Sequence, residues 1–290
     1  MLHHPEFDPV AISIPAINLG NLTLGPLSVH WYGIMYLFAF LSAWLIGMYR
    51  ARKPHALVTP VQVENLITYG AIGVILGGRC GYVFFYGWDK FVADPMWLFR
   101  VWEGGMSFHG GLIGVTLAML VYAKQHRIAF ISLMDFVAPL VPLGLGFGRL
   151  GNFIGQELYG RVTDGPWAMV FPHAGDPAGV GRHASQLYQA ALEGLLLFVI
   201  VFWFSAKPRP RGAVAGVFLV FYASFRFLVE FVREPDYGVY SQFFSWMTRG
   251  QDLCVPMFLL GVGLIVWGYS SNRVTSPPSQ TPSETLTEKN

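Results

Sequence analysis

Apolar residues fall into long runs along most of the 290-residue chain, and short polar connections separate the runs. A helix needs roughly 20 apolar residues to cross a bilayer core about 30 Å thick, and seven runs approach that length. The pattern therefore predicts an all-α polytopic membrane protein with seven transmembrane helices. The predicted spans are residues 30–49, 65–86, 107–123, 129–154, 187–205, 213–232 and 253–269.

Two of the seven runs are irregular. The run at 107–123 is slightly short, so a re-entrant segment is the alternative interpretation, and Pro139 and Pro142 interrupt the run at 129–154. The charge of the connections favours seven full crossings. Connections one, three and five are basic and carry Arg50, Arg52 and Lys53, then Lys124 and Arg127, then Lys207, Arg209 and Arg211. Cytoplasmic loops are enriched in Lys and Arg. The basic odd-numbered connections therefore predict that the N-terminus lies outside and the C-terminus in the cytoplasm.

The composition favours a membrane as the main partner. Hydrophobic residues make up 53% of the chain and charged residues only 12%, against roughly 25% charged residues in a soluble domain. A net charge of +2 lacks the basic footprint of a nucleic-acid binder. Cys80 and Cys254 match no zinc spacing, so no metal site is expected. The first residues lack a basic region and a cleavage site, so we expect no removable signal peptide.

Ionisable residues inside the predicted spans are functional candidates, because a charge in hydrocarbon is costly. Most of them fall in the outer half of the membrane in the predicted orientation, and Asp135 alone falls near the cytoplasmic end. Arg79 is expected to contact a headgroup or to pair with Glu193, and Glu193 is interpreted as a protonated or paired packing residue. The full set is Arg79, Asp135, Arg149, Glu193, Arg226 and Glu230, with His109 and Arg233 at span edges.

Arg226, Glu230 and Arg233 are spaced i, i+4, i+7. On one helix they would share a stripe, with the carboxylate placed between two guanidiniums. Two interpretations stay open, a salt-bridge triad that locks helices together and a preorganised pair of cations. Guanidiniums bind phosphate bidentately, and Arg149 is expected at the same depth. An anionic lipid headgroup is therefore the expected occupant.

Four motifs carry a resemblance to a known family. They are His-Trp-Tyr-Gly at 30–33, Ser-Phe-His-Gly-Gly at 107–111, Gly-Arg-Leu-Gly-Asn-Phe-Ile at 148–154 and Arg-His-Ala-Ser-Gln-Leu-Tyr at 182–188. In this order the chain resembles the bacterial prolipoprotein diacylglyceryl transferases from about residue 7 to residue 269. It departs from their pattern at Gly155 and Gln156, where an Asn-Gly pair is usual, and at Ala184, where proline is usual.

The resemblance implies a reaction and a place for it. The diacylglyceryl group of phosphatidylglycerol would pass to the lipobox cysteine thiol of a preprolipoprotein signal peptide, forming a thioether and releasing glycerol 1-phosphate. The site would lie toward the periplasmic face of the bacterial inner membrane and would use no metal or cofactor. The chain would then comprise a periplasmic N-terminal arm (1–29), a seven-helix catalytic domain (30–269) and a disordered cytoplasmic tail (270–290). Loops 87–108 and 158–186 would form a small periplasmic cap.

The resemblance also implies roles for individual residues. Arg149 and Arg226 would hold the phosphate and stabilise the leaving group, because oriented cations stabilise developing negative charge. His109 is the candidate acceptor of the thiol proton, and an arginine-assisted route is its competitor. The catalytic set is His109, Arg149 and Arg226, and the phosphatidylglycerol-binding set is Tyr32, Arg149, Asn152, Glu157, Gly160, Arg226, Glu230 and Arg233.

Two other classes of function remain alternatives. A transporter for an anionic amphiphile would also use intramembrane arginines and a broken helix, but it would need polar residues through the whole bilayer. A scaffold protein would use the charges as contacts between helices, and it would leave their gathering at one depth unexplained.

Overall fold

The protein is described here by a computed structural model that covers residues 1–19, 22–54, 56–235, 244 and 246–271. It is mostly helical, and the described residues form two compact units, 1–47 with 134–271 and 48–133. The helices are α1 (Trp31–Ala51), α2 (Pro60–Tyr86), α3 (Trp88–Ala93), α4 (Phe108–Gln125), α5 (Phe130–Val137), α6 (Pro142–Ile154), α7 (Ser185–Phe204), α8 (Ala213–Val229) and α9 (Arg249–Ser270).

A helix or a helix pair lies at each of the seven predicted spans. Four of the described helices, α1, α2, α7 and α9, are long and apolar enough to cross a membrane. The pair α5 and α6, bent by 45°, is a fifth candidate span, and α8 is a shorter apolar helix. The bend follows from Pro139 and Pro142, because proline cannot donate a backbone hydrogen bond to the preceding turn. The predicted tail at 270–290 lies outside the described residues, except for 270 and 271.

Two helices begin earlier than the hydrophobic pattern predicts, because capping boxes extend them into polar sequence. The hydroxyl of Thr59 accepts from the backbone N–H of Gln62, whose side chain accepts from the N–H of Thr59. Thr248 and Gln251 make the same exchange at the start of α9. Such reciprocal bonds satisfy backbone donors that a helix start otherwise leaves open.

In the second unit, α2 and α4 pack backbone against backbone through small residues. A Cβ added to Gly77 would lie 2.3 Å from the carbonyl oxygen of Gly110, and one added to Gly114 would lie 2.1 Å from that of Gly73. Close approach through glycines is a common way to join helices in membranes. This contact holds α4, the helix whose second residue is His109.

Short strands are the main departure from the all-α prediction. In the first unit, β1 (Leu2–His3) pairs in parallel with β6 (Met169–Val170). Two antiparallel strand pairs follow, β2 (Val10–Ile14) with β5 (Leu27–His30) and β3 (Ile17–Leu19) with β4 (Leu22–Leu24). β-Branched residues favour extended backbone, and they alternate along β2. The predicted N-terminal arm is therefore built from strands.

Asp135 has a structural role inside the first unit. Its carboxylate accepts hydrogen bonds from the backbone N–H groups of Gly212, at 2.6 Å, and Ala215, at 2.9 Å. These donors lie at the start of α8, where a carboxylate caps open N–H groups and faces the positive end of the helix dipole. These hydrogen bonds explain why Asp135 is buried although it lies away from the other charged residues.

Candidate active site

Two glycines bring α6 and α7 into contact. A Cβ added to Gly146 would lie 3.1 Å from the Cα of Gly194. Because neither residue has a side chain, the two backbones meet directly. Arg149 lies one turn after Gly146 and Glu193 directly precedes Gly194, so the glycine contact sets the approach of the helices that carry these two charges.

The predicted ion triad is present, but its three residues do not lie on one continuous helix. Arg226 Nη2 lies 2.8 Å from Glu230 Oε2, and Arg233 Nη1 lies 3.5 Å from Glu230 Oε1. The prediction that the three residues share one helical stripe was wrong, because α8 ends at Val229 and Glu230 is its C-cap. Arg233 reaches the carboxylate from the turn that follows, where its N–H donates to the carbonyl of Val229 at 3.0 Å.

Residues at the start of α9 complete the surroundings of Glu230, and none of them is among the residues predicted from the sequence. The hydroxyl of Thr248 donates to Glu230 Oε1 at 3.0 Å, and all atoms of this contact are buried. A Cβ on Gly250 would lie 2.9 Å from the same oxygen, so a glycine permits the approach. The signal was available in the sequence, since Thr248 and Gln251 match the spacing of a capping box.

Five charges form one cluster, in which Glu193, Glu230 and Arg233 are buried and Arg149 and Arg226 are partly buried. The electrostatic neighbours of Arg149 include Glu193, Arg226 and Arg233, and Glu193 also interacts with Glu230. In their ionised forms, three guanidiniums and two carboxylates leave one net positive charge. Charge interactions are stronger in the protein interior than in water, so the cluster favours a singly charged anion.

Two guanidiniums in this cluster keep hydrogen-bonding capacity. Arg226 Nη1 is buried and has no hydrogen-bond partner among the described residues. Arg149 makes neither a hydrogen bond nor an ion pair within 4.0 Å in the described part of the chain. Unused donors of a buried guanidinium are expensive unless a ligand or water satisfies them. The structure thus combines a net positive charge with open donors.

Tyr32, Asn152 and Glu157 lie beside the cluster. The ring of Tyr32 packs on Gly151, where an added Cβ would lie 3.0 Å from its Cδ2 atom, and its hydroxyl interacts electrostatically with Arg149 and Glu157. The Asn152 amide donates to Glu157 Oε2 at 3.3 Å. A tyrosine, an amide and a carboxylate therefore lie next to the arginines, and their contact with the lipid stays a prediction.

The departure from the family pattern at Gln156 affects the backbone conformation of that residue. Gln156 has a φ of 54°, in the left-handed region that glycine adopts most easily, and glycine is the residue usual there. The turn still closes, because the N–H of Glu157 donates to the carbonyl of Asn152 at 2.8 Å. The side chain of Gln156 accepts from the N–H of His173 at 3.0 Å, which ties the turn to loop 158–186.

Gly160 lies at a buried backbone crossing. It forms a bridge with Arg233, and a Cβ there would lie 2.4 Å from the carbonyl of Val232. The next residue, Arg161, donates from Nε to the carbonyl of Arg233 at 3.0 Å. This crossing holds the turn that carries Arg233, and the place of Gly160 in the phosphatidylglycerol-binding set stays a prediction.

An ion pair between Arg182 and Asp176 stabilises the backbone crossing at Gly160. Arg182 donates to both oxygens of Asp176, at 2.5 and 2.8 Å, and to the carbonyl of Gly160 at 3.1 Å. The hydrogen bonds from Arg182 lower the pKa of Asp176 and raise that of Arg182 in return. Both groups therefore stay charged near neutral pH.

The second unit contains the other predicted residues. His109 is exposed near the start of α4, one residue after Phe108, and the N-cap hydroxyl of Ser107 accepts from the N–H of Gly110 at 3.2 Å. Arg79 is buried and donates to the carbonyls of Trp97, Leu98, Gly104 and Gly105. The expectation of a headgroup contact or a pair with Glu193 is replaced by this role, since all three guanidinium nitrogens bind the 97–105 segment.

An apolar groove lies beside the charged cluster, between α8 and α9. Its volume is about 340 Å³. Cys254 lines it and also interacts electrostatically with Arg226 and Glu230, so the groove begins near the charges. The remaining lining residues are Ala223, Ser224, Phe227, Leu228, Val255, Phe258 and Leu259.

Comparisons with known proteins agree on one family. The sequence profile described as prolipoprotein diacylglyceryl transferase matches residues 20–267. The chain is 60% identical over 269 residues to the phosphatidylglycerol–prolipoprotein diacylglyceryl transferase of Teredinibacter turnerae, covering 93% of each chain. It is 54% identical over 267 residues to the protein of that name from Chromohalobacter salexigens, covering 92% of this chain and 94% of the other. The chain therefore belongs to the prolipoprotein diacylglyceryl transferase family.

Proposed function

We propose that this chain transfers the diacylglyceryl group of phosphatidylglycerol to the lipobox cysteine of a preprolipoprotein. The largely buried cluster of Arg149, Arg226 and Arg233 with two carboxylates carries the proposal. Its single net positive charge matches the single negative charge of a phosphodiester, and Arg226 Nη1 lacks a partner among the described residues. Relatives at up to 60% identity are named for this reaction, and the apolar groove beside Arg226 has the chemistry of an acyl-chain site.

The proposed step is a displacement at carbon. The cysteine sulfur attacks the glycerol carbon that bears the phosphodiester, an S–C bond forms, and the C–O bond to phosphate breaks. The electron pair stays on the phosphate oxygen, so glycerol 1-phosphate leaves. Arg149 and Arg226 stabilise the negative charge that grows there, because preorganised donors act most strongly where charge develops.

The thiol proton must also leave, since the thiolate is the nucleophile. His109 is the proposed acceptor, because an imidazole nitrogen can act as a general base and this side chain lies exposed at a helix start. In the competing route an arginine of the cluster stabilises the thiolate, and the proton passes to water or to the leaving phosphate. Tyr32, Asn152 and Glu157 orient the headgroup in either route, while Glu230 and Arg233 organise the arginines.

The proposed topology has seven spans in the bacterial inner membrane, with the active site toward the periplasm. Helices at all seven predicted positions and the basic odd-numbered connections support it. Single cysteines at Thr163 and Lys207, with Cys80 and Cys254 replaced by alanine, test it in intact spheroplasts. A membrane-impermeant thiol reagent should label the cysteine at Thr163 and spare that at Lys207. The reverse pattern would overturn the orientation.

The activity has a direct test. Purified protein is incubated with phosphatidylglycerol labelled in its acyl chains and with a lipobox peptide, and the peptide is analysed by mass. The proposal predicts a thioether-linked diacylglyceryl peptide and an equal amount of glycerol 1-phosphate. A peptide whose lipobox cysteine is replaced by serine is the control. Lipid movement across vesicles without any modified peptide would instead favour a transporter.

A further inference from the structure

We infer that Glu193 and Gln189 form a subsite for the free glycerol hydroxyls of the phospholipid headgroup. The inference rests on the proposed function and deepens it, because it names the part of the lipid that these two residues bind. The resemblance in the sequence gave neither residue this role, and Glu193 was interpreted as a packing residue.

The first observation is that two buried polar side chains have atoms without hydrogen-bond partners among the described residues. Glu193 and Gln189 are each only 1% exposed. Both carboxylate oxygens of Glu193 and the Nε2 atom of Gln189 lack hydrogen-bond partners among the described residues. Buried polar side chains are satisfied in most proteins, so two neighbouring open groups point to a missing ligand. Together they offer two acceptors and one donor.

The local helix geometry places the two groups on one face. Residues four apart share a helix face, and the stretch Ala190–Leu196 inside α7 is a π-helical turn. Such turns are rare and occur frequently at functional sites. One helical turn before Gln189, the Nε2 of Gln186 donates to the carbonyl of Glu157 at 2.7 Å. The polar face of α7 is thereby tied to the segment that carries Asn152 and Glu157.

The position of Glu193 relative to the arginines sets what can bind. Arg149 and Arg226, the proposed phosphate ligands, are its strongest electrostatic neighbours. A group held by Glu193 therefore lies close to the phosphate. In phosphatidylglycerol the second glycerol is bonded directly to that phosphate and carries two hydroxyls within three carbons of it.

The chemistry of the open atoms selects a hydroxyl. A carboxylate can only accept hydrogen bonds and an amide nitrogen can only donate them, whereas a hydroxyl does both. An ammonium headgroup could satisfy Glu193 but could accept nothing from Gln189. A propyl headgroup, equal in carbon number but without hydroxyls, would leave both residues unsatisfied. Sites built to bind a hydroxyl reject analogues that lack it by factors of up to about 10⁵.

The test compares two donor lipids with identical acyl chains, phosphatidylglycerol and phosphatidylpropanol. Both contain the same phosphodiester, and propyl phosphate leaves from the second. We expect the wild-type protein to prefer phosphatidylglycerol in kcat/KM by about 100-fold or more. Gln189→Leu should lower kcat/KM for phosphatidylglycerol at least tenfold and leave that for phosphatidylpropanol within about threefold. Glu193→Gln also changes the charge beside Arg149 and Arg226, so its expected effect is on the preference: the ratio of kcat/KM for phosphatidylglycerol to kcat/KM for phosphatidylpropanol should fall at least tenfold. Leu195→Ala, at an exposed position of the same turn, should preserve the wild-type preference.

The other outcomes are separable. Equal loss on both lipids would mean that Glu193 only arranges the arginines, and the subsite would be wrong. Equal wild-type rates from the two lipids would overturn it even if both variants failed to fold. Transfer by the wild type from neither lipid would overturn the proposed function itself, and the subsite with it.

Discussion

Gly194 of α7 lies against Gly146 of α6 so closely that a Cβ on Gly194 would be 2.6 Å from the Cα of Gly146. The atom it would meet is backbone, which cannot rotate away. The two helices carry Glu193 and Arg149 next to this contact. Their charges are therefore placed by the absence of two side chains, and the spacing of the helices becomes part of the site.

Gly194→Ala should separate α6 from α7 and lower the transfer rate. We expect a loss of at least tenfold, because small displacements of positioned groups weaken catalysis strongly, with a reduced thermal stability. Gly263→Ala is the matched control, since nothing lies within 4 Å of its added Cβ. Radiolabelled transfer and a thermal melt measure both effects. Wild-type activity in Gly194→Ala would show that the contact has no part in placing the charges.

Arg149→Ala and Arg226→Ala should each lower kcat by about 10²-fold or more, the typical cost of removing an oriented donor to developing charge. Each variant should still insert into the membrane. Lys124→Ala, which removes an exposed base from α4, controls for loss of charge alone. Transfer at the wild-type rate in either arginine variant would remove that residue from the phosphate site.

His109→Gln should lower kcat by about 10²-fold and leave KM for the lipid nearly unchanged, because a general base acts in the transition state. Single-turnover transfer at saturating phosphatidylglycerol measures the effect. A rate close to that of the wild type would assign proton removal to the arginine-assisted route.

Thr248→Val should lower kcat/KM about tenfold, because a hydrogen bond to a charged group contributes about 1.5–3 kcal/mol. Thr248→Ser keeps the hydroxyl and should restore activity. Thr59→Val is a matched control, since Thr59 makes the same capping box on α2. It should lower stability by about 1 kcal/mol without an effect on transfer. Equal kinetics in Thr248→Val and Thr59→Val would limit Thr248 to a capping role.

His4 should make the stability of the N-terminal arm depend on pH. Its Nε2–H donates to the carbonyl of Phe153 at 2.9 Å, while Nδ1 is buried without a hydrogen-bond partner among the described residues. Burial lowers the pKa of His4 below its usual value, so its stabilising contribution is complete above about pH 6.5. It is lost as the pH falls through the lowered pKa.

Melting temperatures at pH 7.5 and pH 5 measure this dependence. His4→Phe cannot be protonated and should melt with a smaller difference between the two values. His3→Gln, at the exposed neighbouring position, should behave like the wild type. An unchanged pH dependence in His4→Phe would assign the effect to other groups.

Most of the helices could be predicted because length and hydrophobicity are local properties. The bend near Pro139 was predictable for the same reason, since proline acts on its own turn. Helix starts were less accurate where capping boxes such as Thr59 with Gln62 extended a helix into polar sequence. The strands of the N-terminal arm were missed. The pairing of Leu2 with Met169 joins segments far apart in the chain and has no local signal, whereas β2 with β5 and β3 with β4 pair within residues 10–30.

The sequence by itself determined that apolar helices form and that Arg149, Arg226, Glu230 and Arg233 are unusual, because a charge among apolar residues is costly wherever it lies. Only the tertiary structure decided the partners of these charges. Thr248 reaches Glu230 from another helix, and Glu193 approaches the arginines through a contact between two glycines. Such distances depend on how whole helices pack, and no local pattern encodes that packing.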